Sequence, residues 1–286
     1  MAGKTVVVTG STGGIGRATA LGLAMVGARV AVTGRDAERT NDTAREIRAA
    51  SGGQVDAFVA DLSSQSQVRR LAGELLERLP RIDVLLNNAG GYWSTRRVTA
   101  DGLEHTFALN HLAPFLLTNL LLDRLQHRAS ELGAPARVVM VSSYVHKQGH
   151  IDFVDIQGEQ TYTGARAYSQ SKLANILFAY ELARRLDATS VVANALHPGV
   201  VSTSLGVEDP SRTQRLIVPL VRTLMKSPAQ GATTSIYLAA APQLDGVTGR
   251  YFVNSKRKRS SKLSYDEPTA ARLWQVSADL VGLDVS

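Results

Sequence analysis

Six short runs of β-branched and aliphatic residues, at Thr5 to Thr9, Arg29 to Thr33, Val55 to Ala60, Ile82 to Leu86, Arg137 to Val141 and Val191 to Leu196, are each followed by a segment with helical periodicity. Alternation of this kind is the signature of parallel strands joined by crossover helices. Runs such as Val6-Val7-Val8, Val84-Leu85-Leu86 and Val138-Val139-Met140-Val141 are apolar without a break, as strands covered by helices on both faces must be. The expected fold is α/β, a doubly wound parallel sheet. No internal repeat, low-complexity linker or shift of composition divides the 286 residues, so residues 1–286 are read as a single domain, which α/β folds of this length often form. The segment from Gly199 to Pro228 is the least regular, with Pro210, Pro219 and Pro228 around the apolar stretch Leu216 to Met225. It reads as a helical substrate flap, 199–228, with packing against the rest of the fold or a second subunit as the equal alternative.

The first strand runs into Thr9-Gly10-Ser11-Thr12-Gly13-Gly14-Ile15-Gly16-Arg17, and a helical pattern begins at once with Ala18, Leu21, Leu23 and Met25. A chain turning sharply from strand into helix needs residues without Cβ where the backbone bends, and where a pyrophosphate approaches the free N–H groups and positive dipole end of the helix. The spacing Gly10-x3-Gly14-x-Gly16 is not the common dinucleotide fingerprint. Its place carries the argument, because open α/β sheets bind ligands at the carboxyl ends of their strands. The second strand ends Val32-Thr33-Gly34-Arg35-Asp36. A carboxylate at that tip would hold a ribose 2′-hydroxyl, whereas glycine followed by an arginine fork suits a 2′-phosphate. NADPH or NADP+ is the expected cofactor, over NADH.

Tyr168-Ser169-Gln170-Ser171-Lys172 opens a helical segment carried by Leu173, Ile176, Leu177, Tyr180, Leu182 and Leu186. Residues four apart share a helix face, so the phenol and the ammonium point into one cleft. A free tyrosine has a pKa of about 10; a nearby cation stabilises phenolate and lowers that value, which makes Tyr168 a usable general acid or base. Tyr-x3-Lys by itself is common by chance. In company it is not. Thr9 to Gly16, Asn87-Asn88-Ala89-Gly90, Ser142-Ser143, Tyr168 to Lys172 and His197-Pro198-Gly199 follow one another in the order and approximate spacing of the short-chain dehydrogenase/reductase family, which the chain resembles over nearly its whole length.

The resemblance implies a single-domain Rossmann fold with about seven parallel strands, a bound nicotinamide cofactor, and hydride transfer between that cofactor and an alcohol or carbonyl. By position, Tyr168 resembles the proton donor for carbonyl reduction, and Lys172 the residue that binds the nicotinamide ribose and lowers the tyrosine pKa. Ser143, rather than Ser142, resembles the residue that hydrogen-bonds the substrate oxygen, and Asn110 the helix asparagine that holds a water in the proton relay. The cofactor contacts so implied are Gly10, Ser11, Thr12, Gly14, Ile15 and Gly16 in the first turn, Arg35 at the second strand, Asp61 and Leu62 at the adenine, and Asn88, Ala89 and Gly90 in the flanking turn. Tyr168 and Lys172 join them, with Pro198, Gly199, Val201 and Thr203 against the carboxamide. Ser143 and Tyr168 stand 25 positions apart, about twice the separation in many members, and the added segment holds Tyr144, His146, His150, Asp152, Phe153 and Gln157. With Ser171 to Phe178 and the late Ala271-Arg272-Leu273-Trp274, this is similar to the retinol dehydrogenase-like branch, and an apolar small-molecule carbonyl or alcohol is the implied substrate.

Other patterns narrow the reading. With no cysteine the chain has no disulfide framework, thiolate metal site or cysteine nucleophile. His146 and His150 lack an obvious third ligand and lie in a segment that reads as loop, so no metal is expected. Tyr92 and Trp93 either line a substrate pocket or pack ordinarily, and His197 reads as a wall residue. Asp83 and Asp101 have no carboxylate partner at useful spacing, which leaves a paired-carboxylate hydrolase without support. The net charge of +7 is dispersed except for Lys256-Arg257-Lys258-Arg259, read as a solvated loop, and no nucleic acid partner is expected. The start is too short for a signal-peptide core. Leu112 to Leu122 is broken by Pro114, Thr118 and Asn119 and falls short of the roughly 18 residues of a span. The expectation is a soluble cytoplasmic enzyme with no membrane span, assembled as a homodimer or homotetramer if it follows the family. A regulator that keeps the nucleotide turn and has lost the chemistry is the competing reading; the complete set of Tyr168, Lys172 and Ser143 argues for the enzyme.

Overall fold

The computed structural model describes residues 1–132, 134–186, 191–202 and 225–284. Seven strands run parallel: β1 (Thr5–Val8), β2 (Arg29–Gly34), β3 (Val55–Val59), β4 (Val84–Asn87), β5 (Ala136–Val141), β6 (Val191–His197) and β7 (Arg250–Val253). Their spatial order is 3-2-1-4-5-6-7, and β8 (Lys256–Lys258) adds antiparallel to the edge. The order reverses between β1 and β4, which is where a doubly wound sheet opens a ligand crevice.

Period-two alternation divides the continuous apolar runs between two cores. Val7, Leu85, Val138 and Met140 point to one face, under α3 (Gln65–Arg78), α5 (Ala113–Leu120), α6 (Leu122–Leu132), α7 (Gly164–Arg185) and α9 (Glu267–Val281). Val6, Val8, Val84, Leu86, Val139 and Val141 point to the other, under α1 (Gly14–Met25), α2 (Ala37–Ser51) and α8 (Pro228–Ala240). A short α4 (His105–Phe107) precedes α5. Each fully buried aliphatic side chain contributes about 1.5–3 kcal/mol, so both faces of the sheet have to be covered by helices. On α1 the buried face is Gly16, Thr19, Ala20, Leu23 and Ala24, the i, i+3, i+4, i+7 face that starts at Gly16. Of the four apolar positions read as that face, only Leu23 is buried, and Met25 is 60% exposed.

Local chemistry sets the ends. Asp36 caps α2 by accepting the Arg39 N–H at 2.8 Å, and Gly52 closes it at φ 67°. Ser227 and Gln230 form a capping box at α8. Two buried charges are paired, which offsets the cost of burying them. Arg137 of β5 donates to the carbonyls of Leu238 (2.9 Å) and Ala241 (2.8 Å) and to Asp245, and Asp83 accepts from Arg81 and the Thr5 N–H.

Two expectations change. The basic run is not a loop: Lys256 to Lys258 form β8, because Asn254 (φ 51°) and Ser255 (φ 57°) make the two-residue left-handed turn that matches strand twist. The sheet therefore has an eighth, antiparallel strand. Residues 203–224 of the expected flap, with Thr203, Leu205, Val207 and Leu216 to Val218, lie outside the described residues. Among the described residues no helix is long and apolar enough to cross a membrane.

Candidate active site

A groove of about 300 Å³ opens at the carboxyl ends of β1 to β4. Its floor is the first turn, where two glycines are required by close approach. A Cβ on Gly10 (φ 63°) would stand 2.8 Å from Ala89 Cα, and one on Gly16 would stand 2.2 Å from the Gly10 carbonyl oxygen and 2.5 Å from Asn88 Nδ2. The N-cap of α1 is Gly13, which offers no side-chain cap, and its first turn holds no acidic residue, so the positive end of the helix is left for an anion. Asn88 staples the turn: its Nδ2 donates to the carbonyls of Thr9 (2.9 Å) and Gly10 (3.2 Å), while Thr9 Oγ1 accepts from the Asn88 and Ala89 N–H groups. Ser11 faces the other way. It is fully buried, its hydroxyl donates to the Val8 carbonyl and accepts from the Thr33 N–H, and its own N–H donates to Thr33 O. It fastens the turn to β2 and does not line the groove.

Gly34 ends β2 where a Cβ would meet Thr12 Cγ2 at 2.4 Å and Thr40 Oγ1 at 2.5 Å, so no carboxylate fits at that tip. Arg35 follows, exposed, and Arg39 returns from the first turn of α2 with its Nε donating to Thr12 O at 3.2 Å. Both arginines line the groove. Asp61 and Leu62 line it after β3, as do Thr12, Gly14 and Ile15 from the turn and Ala89 and Gly90 after β4.

The reactive side chains arrive on α7. Thr163 caps this helix by accepting the Arg166 N–H at 3.2 Å, and Gly164 seats it against the loop after β4, where a Cβ would lie 2.2 Å from Trp93 O. One turn later comes Tyr168, with Tyr92 edge-on at 5.7 Å between ring centres. Lys172, 4% exposed, donates to the Val141 carbonyl at 3.3 Å and holds Nζ 5.5 Å from the Tyr168 ring centre. Gly90 completes the convergence, since a Cβ there would lie 3.0 Å from Asn110 Oδ1 and 3.2 Å from Lys172 Nζ. Of the serine pair, Ser142 is spent on the Lys172 carbonyl (2.7 Å), and Ser143 is the one whose side chain acts on the Tyr168 phenol.

Burial pushes Tyr168 up to about 12, although the Ser143 hydrogen bond works in the lowering direction, and burial brings Lys172 down to about 8. The tyrosine shift is opposite to the one expected from the Tyr-Lys motif, because loss of water around the phenolate outweighs its polar neighbours. Asn110 sits in a π turn, Ala108–Leu112, between α4 and α5, a widened turn common at functional sites. Its Oδ1 accepts the Gly91 N–H (2.8 Å) and its amide donates to Gly91 O and Ser171 Oγ (3.0 Å each). Both amide donors are used, so a water held by this residue is held through oxygen. Pro198 is buried, Gly199 has φ 97°, and Val201 pairs with Lys226; these three do not line the groove among the described residues.

The sequence model of the short chain dehydrogenase family matches residues 4–214. The chain belongs to that family. Retinol dehydrogenase 14 of Mus musculus is 44% identical, covering 99% of this chain and 87% of the relative; retinol dehydrogenase 13 of Homo sapiens is 43% identical, covering 99% and 86%. A Streptomyces sp. (strain C5) protein provisionally named a daunorubicin C-13 ketoreductase is 42% identical, over 98% of this chain and 93% of its own. Among solved structures, an uncharacterized protein from Mycobacterium paratuberculosis superposes with a TM-score of 0.79 at 34% identity, covering 100% of this chain and 96% of that one. The Pseudomonas aeruginosa RhlG/NADP active-site complex superposes at 0.69 and 32%, covering 88% and 94%. This short-chain dehydrogenase lies in the retinol dehydrogenase-like branch and is an oxidoreductase of the kind that interconverts carbonyls and alcohols with a nicotinamide cofactor.

Two parts of the short-chain dehydrogenase site are not legible in the sequence. Arg39 is one; its signal is Asp36, a helix cap that places residue 39 over the strand tip. The π turn at Asn110 leaves no sequence mark. The longer stretch between Ser143 and Tyr168, evident from spacing, takes its form only in the fold: a 3₁₀ turn, Tyr144–Gln148, leads into a loop wound on Asp155. The Asp155 carboxylate accepts N–H groups from Thr161 (3.0 Å), Gln160 (3.2 Å) and Glu159 (2.6 Å), which hold it below the usual carboxylate range. Gln157 reaches the Glu104 N–H at 2.7 Å, and Phe153 lies under Arg272 of α9.

Proposed function

We propose that this protein is an NADP(H)-dependent oxidoreductase that reduces the carbonyl of an apolar small molecule, or oxidises the matching alcohol, with Tyr168 as general acid and base. The observation that carries the reading is the convergence of Tyr168, Lys172 and Ser143 beside Gly90 and Tyr92 of the groove wall. Two hydroxyl groups held together can both donate to one substrate oxygen, and they polarise it before charge develops. The cradle at Gly10 and Gly16, which any Cβ would fill, fits a pyrophosphate; Arg35 and Arg39 would hold a 2′-phosphate, Asp61 and Leu62 would contact the adenine, and Lys172 would hold the ribose. The nicotinamide, when bound, supplies or accepts the hydride. Tyr168, protonated well beyond neutral pH, gives its proton to the oxygen during reduction. Tyr92, Trp93 and Leu109 on the groove wall favour an apolar substrate.

The first test is a panel of aldehydes, ketones and alcohols, including a retinoid aldehyde and an aromatic polyketide ketone, followed by NADPH absorbance. Turnover of none of them refutes the proposal. Replacing Arg35 and Arg39 together with Ser is expected to raise the Michaelis constant for NADPH and leave that for NADH nearly unchanged. A lost charge-assisted hydrogen bond is worth about 1.5–3 kcal/mol, or roughly ten- to a hundredfold. A wild-type preference for NADH would overturn the cofactor assignment.

The raised tyrosine also predicts a pH asymmetry. Oxidation needs phenolate, whose fraction climbs roughly tenfold per pH unit below a pKa of about 12. Initial rates of alcohol oxidation are therefore expected to rise from about pH 7 to about pH 10 while the reduction rate does not. A flat oxidation profile counts against Tyr168 as the base.

A further inference from the structure

We infer that His146 is a positioning residue for the site: a neutral imidazole, protonated on Nδ1, that clamps the Ser143 carbonyl and ties the serine to the segment following β8. The inference rests on the reading of Ser143 as the group that holds the substrate oxygen. Sequence spacing paired His146 with His150 as metal ligands lacking a third, and the fold gives it other work. His146 is fully buried while His150 is exposed. Its Nδ1 lies 2.6 Å from the Ser143 carbonyl oxygen, and its Nε2 lies 3.1 Å from the backbone nitrogen of Ser261, which is 115 residues further along the chain.

Those two partners fix both tautomer and charge. A carbonyl oxygen only accepts, so Nδ1 carries the hydrogen; a peptide N–H only donates, so Nε2 presents its lone pair. An imidazolium would set a second N–H against the Ser261 N–H in a site closed to water. The backbone N–H of His146 donates to the same Ser143 carbonyl at 3.2 Å, so one residue grips that peptide twice. Ser143 is extended (φ −147°, ψ 160°) and immediately precedes the 3₁₀ turn Tyr144–Gln148. Fixing its carbonyl fixes the backbone from which its Cα–Cβ bond carries the hydroxyl that acts on Tyr168. At the far end, Ser261 sits between β8 and the 3₁₀ turn Lys262–Tyr265, and its neighbour Ser260 is bonded to the Tyr180 hydroxyl of α7 at 2.8 Å. The ring itself is packed on Tyr251 at 5.0 Å.

Two amides separate the two arms. Asn at 146 places an N–H near the Nδ1 position and does not reach Ser261; Gln reaches Ser261 with its oxygen and offers no donor at the Ser143 carbonyl. His146→Asn is expected to keep kcat for carbonyl reduction within about threefold of wild type. His146→Gln is expected to lose roughly ten- to a hundredfold in kcat, the scale for a displaced reacting group, at unchanged Michaelis constant for NADPH. Equal loss in both variants, or better rescue by Gln, overturns the inference, because a purely structural tether to Ser261 is what Gln restores. Two readouts are independent of turnover. The nitrogen resonances of ¹⁵N-labelled histidine should show His146 as the Nδ1–H tautomer, and an Nε2–H tautomer or an imidazolium overturns the inference. The ¹³Cζ resonance of Tyr168 should move in the Gln variant and stay in the Asn variant; the reverse, or no difference, does the same. Failure of wild type on the whole carbonyl and alcohol panel removes the proposed function, and the two spectroscopic arms still decide the clamp.

Discussion

Tyr168→Phe is expected to lower turnover in carbonyl reduction by roughly 10²- to 10⁴-fold, the usual contribution of a positioned acid, with NADPH binding largely intact. The substitution removes one oxygen and leaves the ring, so the edge contact with Tyr92 and the place of Lys172 beside the ring survive. What goes is the donor to the substrate oxygen and the partner of Ser143. Single-turnover hydride transfer, paired with a fluorescence titration of NADPH, separates the two effects. Activity within tenfold of wild type would remove Tyr168 from the mechanism, and a parallel loss of NADPH binding would make it a cofactor residue.

Gly16→Ala acts on the other half of the site. Its Cβ would sit 2.2 Å from the Gly10 carbonyl oxygen and 2.5 Å from Asn88 Nδ2, and both belong to the stapled turn that borders the groove. Neither is the loose end of a flexible chain, so the turn itself has to shift. Overpacking of this kind costs about 1–3 kcal/mol, and the expected result is a roughly five- to hundredfold weaker NADPH dissociation constant. Gly73→Ala is the control: it lies within α3, and a Cβ there meets nothing within 4 Å, so the helix should gain up to about 1 kcal/mol with NADPH binding unchanged. Equal NADPH affinity in the Gly16 variant would separate the glycine turn from the cofactor.

What could be read from sequence was what is written locally. Val6-Val7-Val8 and Val138 to Val141 declare buried strands by composition, and Gly10 and Gly16 declare a tight turn because no other residue fits. β7 and β8 are not legible for the opposite reason: β7 buries only Tyr251 and Phe252, too few for an apolar run, and Lys256-Arg257-Lys258 looks like solvated chain until Asn254 and Ser255 are seen to turn it back. The direction of the Ser11 hydroxyl is not legible from its place in a glycine run, because it depends on Thr33, a neighbour only in the folded sheet. The direction of the Tyr168 shift was misjudged because sequence gives the cation but not the depth of burial. Arg39 and His146 were invisible as functional groups until α2 and β8 brought Thr12 and Ser261 to them.

The hairpin edge has a consequence for assembly. A bare outer strand is a template on which a second copy can continue the sheet, and here that strand presents Lys256, Arg257 and Lys258, all exposed. Two such strands laid side by side would set ammonium and guanidinium groups opposite one another, and like charges facing across a pair are repulsive. The charges at this border therefore disfavour growth into extended β-fibres, most strongly at low salt.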